Sequence, residues 1–321
     1  MQAVSFSEFG GPDVLRIIDR PTFEPRAGEV VVDVVAAGIN PTDIMMRRGD
    51  HAKMMTDLKP PYVAGMDFAG RIAKVGQGVA LKSGQPVIGV VNPRRPDGGA
   101  QAQQVRLPAA LVAAIDDKTD LTAAAVVPMN ALTAMLALEL LNLSPGQTLL
   151  VTGGTGIMGG VTIPLARRAG LTVLANGAEA DRALLTQLGA HTVLPRDAGL
   201  EDALRAACPA GVDGMIDGAL IGRKYSRLVR DGGGAVALRG THAIEDARLR
   251  TFVVSVGKAV QEGDGMERTT GMIQQIARSI ENGTLTPRIA ENGVFDYRKA
   301  AKAFEMAEQG GFRGRVMLRF V

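Results

Sequence analysis

The chain has 321 residues, 46% hydrophobic and 21% charged, which is enough apolar material for two folded domains. Lys and Arg number 36 against 33 Asp and Glu, with no basic block or basic–aromatic interleaving, so a nucleic-acid partner is not expected. A single cysteine, Cys208, excludes an intrachain disulfide framework and a four-cysteine zinc site; no apolar run approaches the roughly 20 residues that span a bilayer, and a soluble cytoplasmic protein is expected.

Residues 1 to about 120 read as strands and turns. Turn signals at residues 10–12, 26–29 and 82–85 separate β-rich runs at 30–35, 69–75 and 86–91, which predicts a compact, barrel-like β domain. Residues 123–141 are rich in Ala, Leu and Met, as a helix should be. Strands at 148–152, 171–175, 191–194, 214–216 and 235–238 then alternate with helices at 158–168 and 180–188, closed by Gly170 and Gly189. That alternation predicts an α/β unit with a doubly wound parallel sheet. After residue 265 an amphipathic helix places Met272, Ile273, Ile276 and Ile280 on one face. A helix at 297–308 and a strand at 314–320 end the chain.

Gly154, Thr155, Gly156, Ile157, Met158 and Gly159 spell G-x-G-x-x-G between an apolar strand and a helix. This is the setting of a dinucleotide-binding turn, where glycines let the backbone approach a pyrophosphate and the helix N-terminus faces its charge. Pro164 inside that helix predicts a kink or a later start. Proteins selecting NAD place an acid about 20 residues on, at the end of the next strand, to hold the ribose 2′-hydroxyl. Here that strand ends in Ala175, Asn176 and Gly177, and Glu179 and Asp181 come later. Arg182 and Arg196 follow, and guanidinium groups suit a 2′-phosphate, so the expected cofactor is NADPH.

Several segments together resemble the zinc-independent medium-chain dehydrogenase/reductases, in the quinone oxidoreductase branch that includes zeta-crystallin. They are residues 37–43 (AGINPTD), 61–70 (PYVAGMDFAG), 131–134 (ALTA), 144–147 (SPGQ), 232–234 (GGG) and 310–318 (GGFRGRVML). The resemblance implies a GroES-like β-barrel over residues 1–122, a Rossmann domain over 123–262 and a return to the catalytic domain over 263–321. It also implies a homodimer joined through an edge strand near Thr251 to Val256. Zinc-dependent relatives carry Cys where this chain resembles the branch with Asn40, and Gly-His-Glu where it reads Gly65, Met66 and Asp67. Met is a poor Zn²⁺ ligand, and His51, His191 and His242 are far apart in sequence, so no metal site is expected.

The resemblance puts Asn40 near the nicotinamide and the substrate oxygen, where its amide can donate to a developing oxyanion; Asp43 is a candidate for orienting neighbouring groups or for capping a helix, and Tyr62 for lining the cleft and offering a hydroxyl. The resemblance also puts Thr133 at the nicotinamide end, with Leu238, Gly240 and Arg313 among the residues that contact cofactor. Met135 stands where many relatives carry Tyr, and residues 49–61, with Met54 and Met55, are expected to form an adaptable lip. The implied activity is hydride transfer from NADPH to an electron-poor small molecule, a quinone or other activated carbonyl or alkene. Enoyl or enone reduction is the nearest alternative, and an NADPH-binding sensor or RNA binder with little catalysis is the alternative of another class.

Overall fold

The computed structural model describes residues 1–261 and 266–321 and divides them into two compact units. The first comprises residues 1–129, 257–283 and 287–321, and the second residues 130–256 and 284–286, among those described. Residues 123–129, grouped with the nucleotide domain in the sequence reading, therefore go with the first unit; the Met129 N–H donates to the Asp67 carboxylate of that unit (3.1 Å). The boundary drawn after residue 262 lies outside the described residues.

In the first unit a seven-stranded sheet runs in the order Ile289–Asp296, Arg315–Arg319, Glu29–Gly38, Asp67–Val75, Pro86–Val90 and Val112–Ala114, with Gln104–Pro108 also on Glu29–Gly38. Glu29–Gly38 is the hub: it pairs antiparallel with three strands, and Val30, Val31, Val32 and Val34 along it are buried. An almost continuous apolar run is what a strand enclosed on both faces requires. Met317 pairs with Gly38, so the C-terminal strand completes the sheet begun near the N-terminus. The strand Ile289–Asp296 was not predicted; Asn292 at φ 54° and a register break interrupt its alternation.

The helix Pro41–Arg48 bears out the helix-capping alternative for Asp43, although its extent lies in a stretch expected to be strands and turns. Its start and stop signals are nonetheless present: Asn40 at the N-cap, Pro41 in the first turn and Gly49 at φ 91° beyond the end. Arg47 on this helix is fully buried, ion-paired to Glu308 and 5.6 Å from the Phe304 ring centroid. This ties the helix to Ala300–Gln309.

The second unit is a six-stranded parallel sheet in the order Thr192–Pro195, Thr172–Gly177, Thr148–Thr152, Val212–Asp217, Val229–Ala237 and Arg250–Val253. The order reverses direction between Thr148–Thr152 and Val212–Asp217, which is the Rossmann arrangement and opens a crevice at the strands' carboxyl ends. The stretch read as one helix over residues 123–141 is two, Leu121–Ala124 and Pro128–Leu141, broken ahead of Pro128 as the missing N–H requires. By contrast Pro164 does not delay the helix Ile157–Arg168, which runs through it. The carbonyl that the proline ring must pass belongs to Gly160, where no side chain adds to the crowding. Among the described residues no helix is long and apolar enough to cross a membrane.

Candidate active site

The glycine turn sits at the switch point of the parallel sheet. Gly153, at φ 66°, reverses the chain after the strand, and its N–H donates to Asn176 Oδ1 (2.7 Å), while the Gly154 N–H donates to the Asn176 carbonyl (3.0 Å). Asn176 thus occupies the strand-end position of the NAD-type acid, but its side chain is buried and spent on holding the turn. The three motif glycines do different jobs. A Cβ on Gly159 would lie 2.2 Å from the Gly154 carbonyl oxygen, so helix and turn pack backbone to backbone. A Cβ on Gly154 would lie 2.8 Å from Leu185. Gly156 is exposed, and a Cβ there would meet only the Gly153 carbonyl at 3.2 Å. Its open face, with Thr155, Ile157 and Met158 around the first turn of a 12-residue helix, is where a pyrophosphate could lie against backbone N–H groups.

Below the turn, the Thr152 hydroxyl donates to Asp217 Oδ1 (2.7 Å), and Asp217 Oδ2 accepts from the Gly222 N–H (2.7 Å). Both side chains are fully buried, and together they fix the loop leaving the neighbouring strand. The sequence reading missed this pair, whose only signal was an Asp at a strand end. Leu238 and Gly240 leave the carboxyl end of Val229–Ala237, and Thr133 is buried in Pro128–Leu141. Arg182 and Arg196 are both exposed near the end of Thr172–Gly177.

In the first unit, Asn40, Asp43 and Asp67 are completely buried together. Asp43 Oδ2 accepts from the Asn40 N–H (2.7 Å) and Oδ1 from the Gly65 N–H (3.0 Å). Its carboxylate therefore caps the helix that carries it and anchors the Gly65 turn, so the capping alternative describes Asp43. Asn40 Nδ2 donates to Asp67 Oδ1 (2.7 Å), which fixes the amide. Gly38 is glycine for a local reason: a Cβ there would stand 2.9 Å from Asp67 Oδ1. Arg315 is half-buried, its Nε is shielded from solvent, and its charge acts on both carboxylates. Nothing in the sequence spacing of Asp67 and Arg315 reveals that they meet Asn40 and Asp43.

Burial pushes the Asp43 carboxyl up to about 7, with the Asp67 charge adding to it, against the donors on its oxygens. Burial likewise pushes Asp67 up to about 6, opposed by Arg315 and by the Asn40 amide. Both groups then hold protons more tightly folded than unfolded, where the ordinary value is 3.8. The stability they contribute is full below that value and is lost as pH rises through about 6 and 7. Urea denaturation should accordingly show a stability falling by a few kcal/mol between pH 5 and 8, with a smaller slope in Asp67→Asn; a flat profile would remove the buried-carboxyl account.

Tyr62 stacks on Phe9 (centroids 5.9 Å apart, planes 4° apart), touches Phe6, and its hydroxyl donates to the Leu58 carbonyl at 3.4 Å. It lines a pocket of about 300 Å³ with Arg20, Lys59 and Arg95. Of the expected lip, Met54 is exposed and within 3.1 Å of the Arg94 guanidinium, but Met55 is buried. Met55 therefore serves the core and is not available for the adaptable surface expected of it. Arg313 is exposed, on the bend ahead of Arg315–Arg319.

The profile of the alcohol dehydrogenase GroES-like domain matches residues 26–117, and that of the zinc-binding dehydrogenases matches residues 188–318. The chain is 30% identical to the 2-methylene-furan-3-one reductase of Solanum lycopersicum, over 99% of its own length and 79% of the relative's. It belongs to the medium-chain dehydrogenase/reductase family. Within that family it is 29% identical, with the same coverages, to the NADPH-dependent alkenal/one oxidoreductase of Arabidopsis thaliana. Its fold superposes on the quinone oxidoreductase of Coxiella burnetii with a TM-score of 0.82 at 26% identity, covering 100% of this chain and 99% of the other. The zinc in one family description does not suit these residues. The Met66 sulfur accepts from the Thr42 hydroxyl (3.2 Å), the Asn40 amide is held by Asp67, and no group of three or more His, Cys, Asp or Glu among the described residues could hold a metal ion.

Proposed function

We propose that this protein is an NADPH-dependent oxidoreductase that transfers hydride to a quinone or another activated carbonyl or alkene. The observation that carries the reading is the glycine turn at the switch point of a six-stranded parallel sheet, with Gly156 open and Gly154 and Gly159 packed shut. Likeness over nearly the whole of this chain to enone and quinone reductases supports the substrate class. Bound NADPH supplies the hydride.

The protein's own residues bind and orient. Gly154 to Gly159 receive the pyrophosphate, Asn176 stiffens the turn, and Arg196 and Arg182 meet the 2′-phosphate. Thr133, Leu238 and Gly240 of the same unit complete the cofactor's surroundings. The Asn40 amide, held by Asp67, donates to the oxygen on which charge develops, and Asp43 keeps Asn40 at its helix end. With Asn40 and Met66 in place of metal ligands, the substrate must itself be electron-poor, which favours quinones and conjugated enones over simple ketones. Tyr62 contributes a wall of the substrate region. The enone branch of this reading ends with a proton on carbon, the quinone branch with a proton on oxygen.

The same reading includes a homodimer joined near Thr251 to Val256, at the edge strand Arg250–Val253 of the parallel sheet, where Thr251 and Val253 are exposed. It places the protein in the cytoplasm, whose reducing conditions suit a lone thiol at Cys208. Purified protein incubated with NADPH and a panel of quinones, enones and simple ketones tests the function. Loss of NADPH absorbance with the first two classes and not the third is expected. Loss with none would leave a nucleotide-binding sensor as the better account.

A further inference from the structure

The end of the strand Thr172–Gly177 presents two guanidinium groups in different electrostatic states. Gly177 pairs with Pro195 of the neighbouring strand, so Arg196 leaves the sheet beside Ala178. Arg196 is exposed and has no ion pair among the described residues. Arg182 is engaged: its Nε donates to Glu179 Oε1 (2.6 Å) and its Nη2 to Glu179 Oε2 (2.9 Å). This is the parallel two-bond geometry with which an arginine grips a carboxylate or a phosphate, so Glu179 fills the fork a phosphate would use. The two side chains are 54% and 79% exposed, and such a pair opens readily in water. The segment also abuts the glycine turn, since a Cβ on Gly177 would meet the Thr155 methyl at 3.0 Å. An adenosine ribose seated beyond that turn would bring its 2′ substituent to this strand end.

We infer that Glu179 is a specificity-determining residue for the cofactor: its carboxylate competes with the 2′-phosphate for Arg182, leaves Arg196 as the standing phosphate anchor, and holds the preference for NADPH over NADH below what two free arginines would give. The inference rests on the NADPH reading above. A 2′-hydroxyl carries no charge and does not draw Arg182 from Glu179, so the competition acts on NADPH alone.

Calorimetric titration of the full chain with adenosine 2′,5′-bisphosphate and with adenosine 5′-monophosphate tests this without any turnover. Glu179→Gln should bind the bisphosphate roughly three- to fivefold tighter than the parent, the range of an exposed ion pair, and the monophosphate equally well. Arg196→Ala should weaken the bisphosphate in either background. Arg182→Ala should weaken it more when combined with Glu179→Gln than alone. Equal bisphosphate affinity in parent and Glu179→Gln, or equal tightening of both ligands, would overturn the competition while NADPH binding by the parent keeps the cofactor reading. A parent that binds neither NADPH nor the bisphosphate would overturn both.

Discussion

Gly156→Ala should fold as the parent does and bind NADPH about 10- to 100-fold more weakly. The added methyl meets only the Gly153 carbonyl, at 3.2 Å, and the residue's φ of −71° is open to any side chain, so little in the fold resists it. The same methyl stands on the exposed face of the turn, where a pyrophosphate must reach backbone N–H groups. Losing one charge-assisted hydrogen bond costs about 1.5–3 kcal/mol, which gives that range. Gly159→Ala should behave differently. Its methyl would lie 2.2 Å from the Gly154 carbonyl oxygen, so the helix must part from the turn before any ligand is involved. Overpacking of this kind costs about 1–3 kcal/mol, and a lowered Tm should precede any binding defect. Tm and NADPH fluorescence titration, measured on both variants, separate the two roles. A Gly156→Ala protein that binds NADPH like the parent would mean the pyrophosphate lies elsewhere.

Arg315→Met should destabilise the protein by about 1–3 kcal/mol at neutral pH, less than for a fully buried pair, because Arg315 is half-buried and the carboxyls can take up protons. Methionine replaces much of the side-chain volume but leaves Asp43 and Asp67 facing each other without the cation that offsets them. At pH 5 both carboxyls are largely protonated and no longer need it, so the loss should shrink there. Denaturant midpoints at pH 5 and pH 8 check this. A loss that is the same at both would mean Arg315 acts through packing alone.

Much of this was legible in the sequence wherever a local rule is strong. The strand Thr148–Thr152 and the turn after it follow from an apolar run and three spaced glycines, and Gly189 ends its helix at φ 106° because only glycine takes that conformation readily. The helix Pro41–Arg48 was legible only at its start, where Asn40, Pro41 and a capping Asp43 are ordinary helix-start signals, because its eight residues are too short for a clear apolar period. The buried cluster was hidden for a different reason. Asn40, Asp43, Asp67 and Arg315 come from three distant stretches of chain, and only the pairing of Arg315–Arg319 with Glu29–Gly38 and of that strand with Asp67–Val75 brings them together. Asn176 shows the limit from the other side: the sequence pointed to the right strand end, but the amide is turned onto Gly153. Likewise Arg182 stands where a phosphate ligand was expected, with a carboxylate already in its grip.

Hydride transfer itself is tested most directly by following the label from NADPH deuterated at the transferable C4 position. Incubation with a conjugated enone should give a saturated ketone carrying deuterium on its β-carbon, and the same label should leave the cofactor when a quinone is the acceptor. Product without deuterium, or unchanged enone and quinone with the label still on NADPH, would contradict the account.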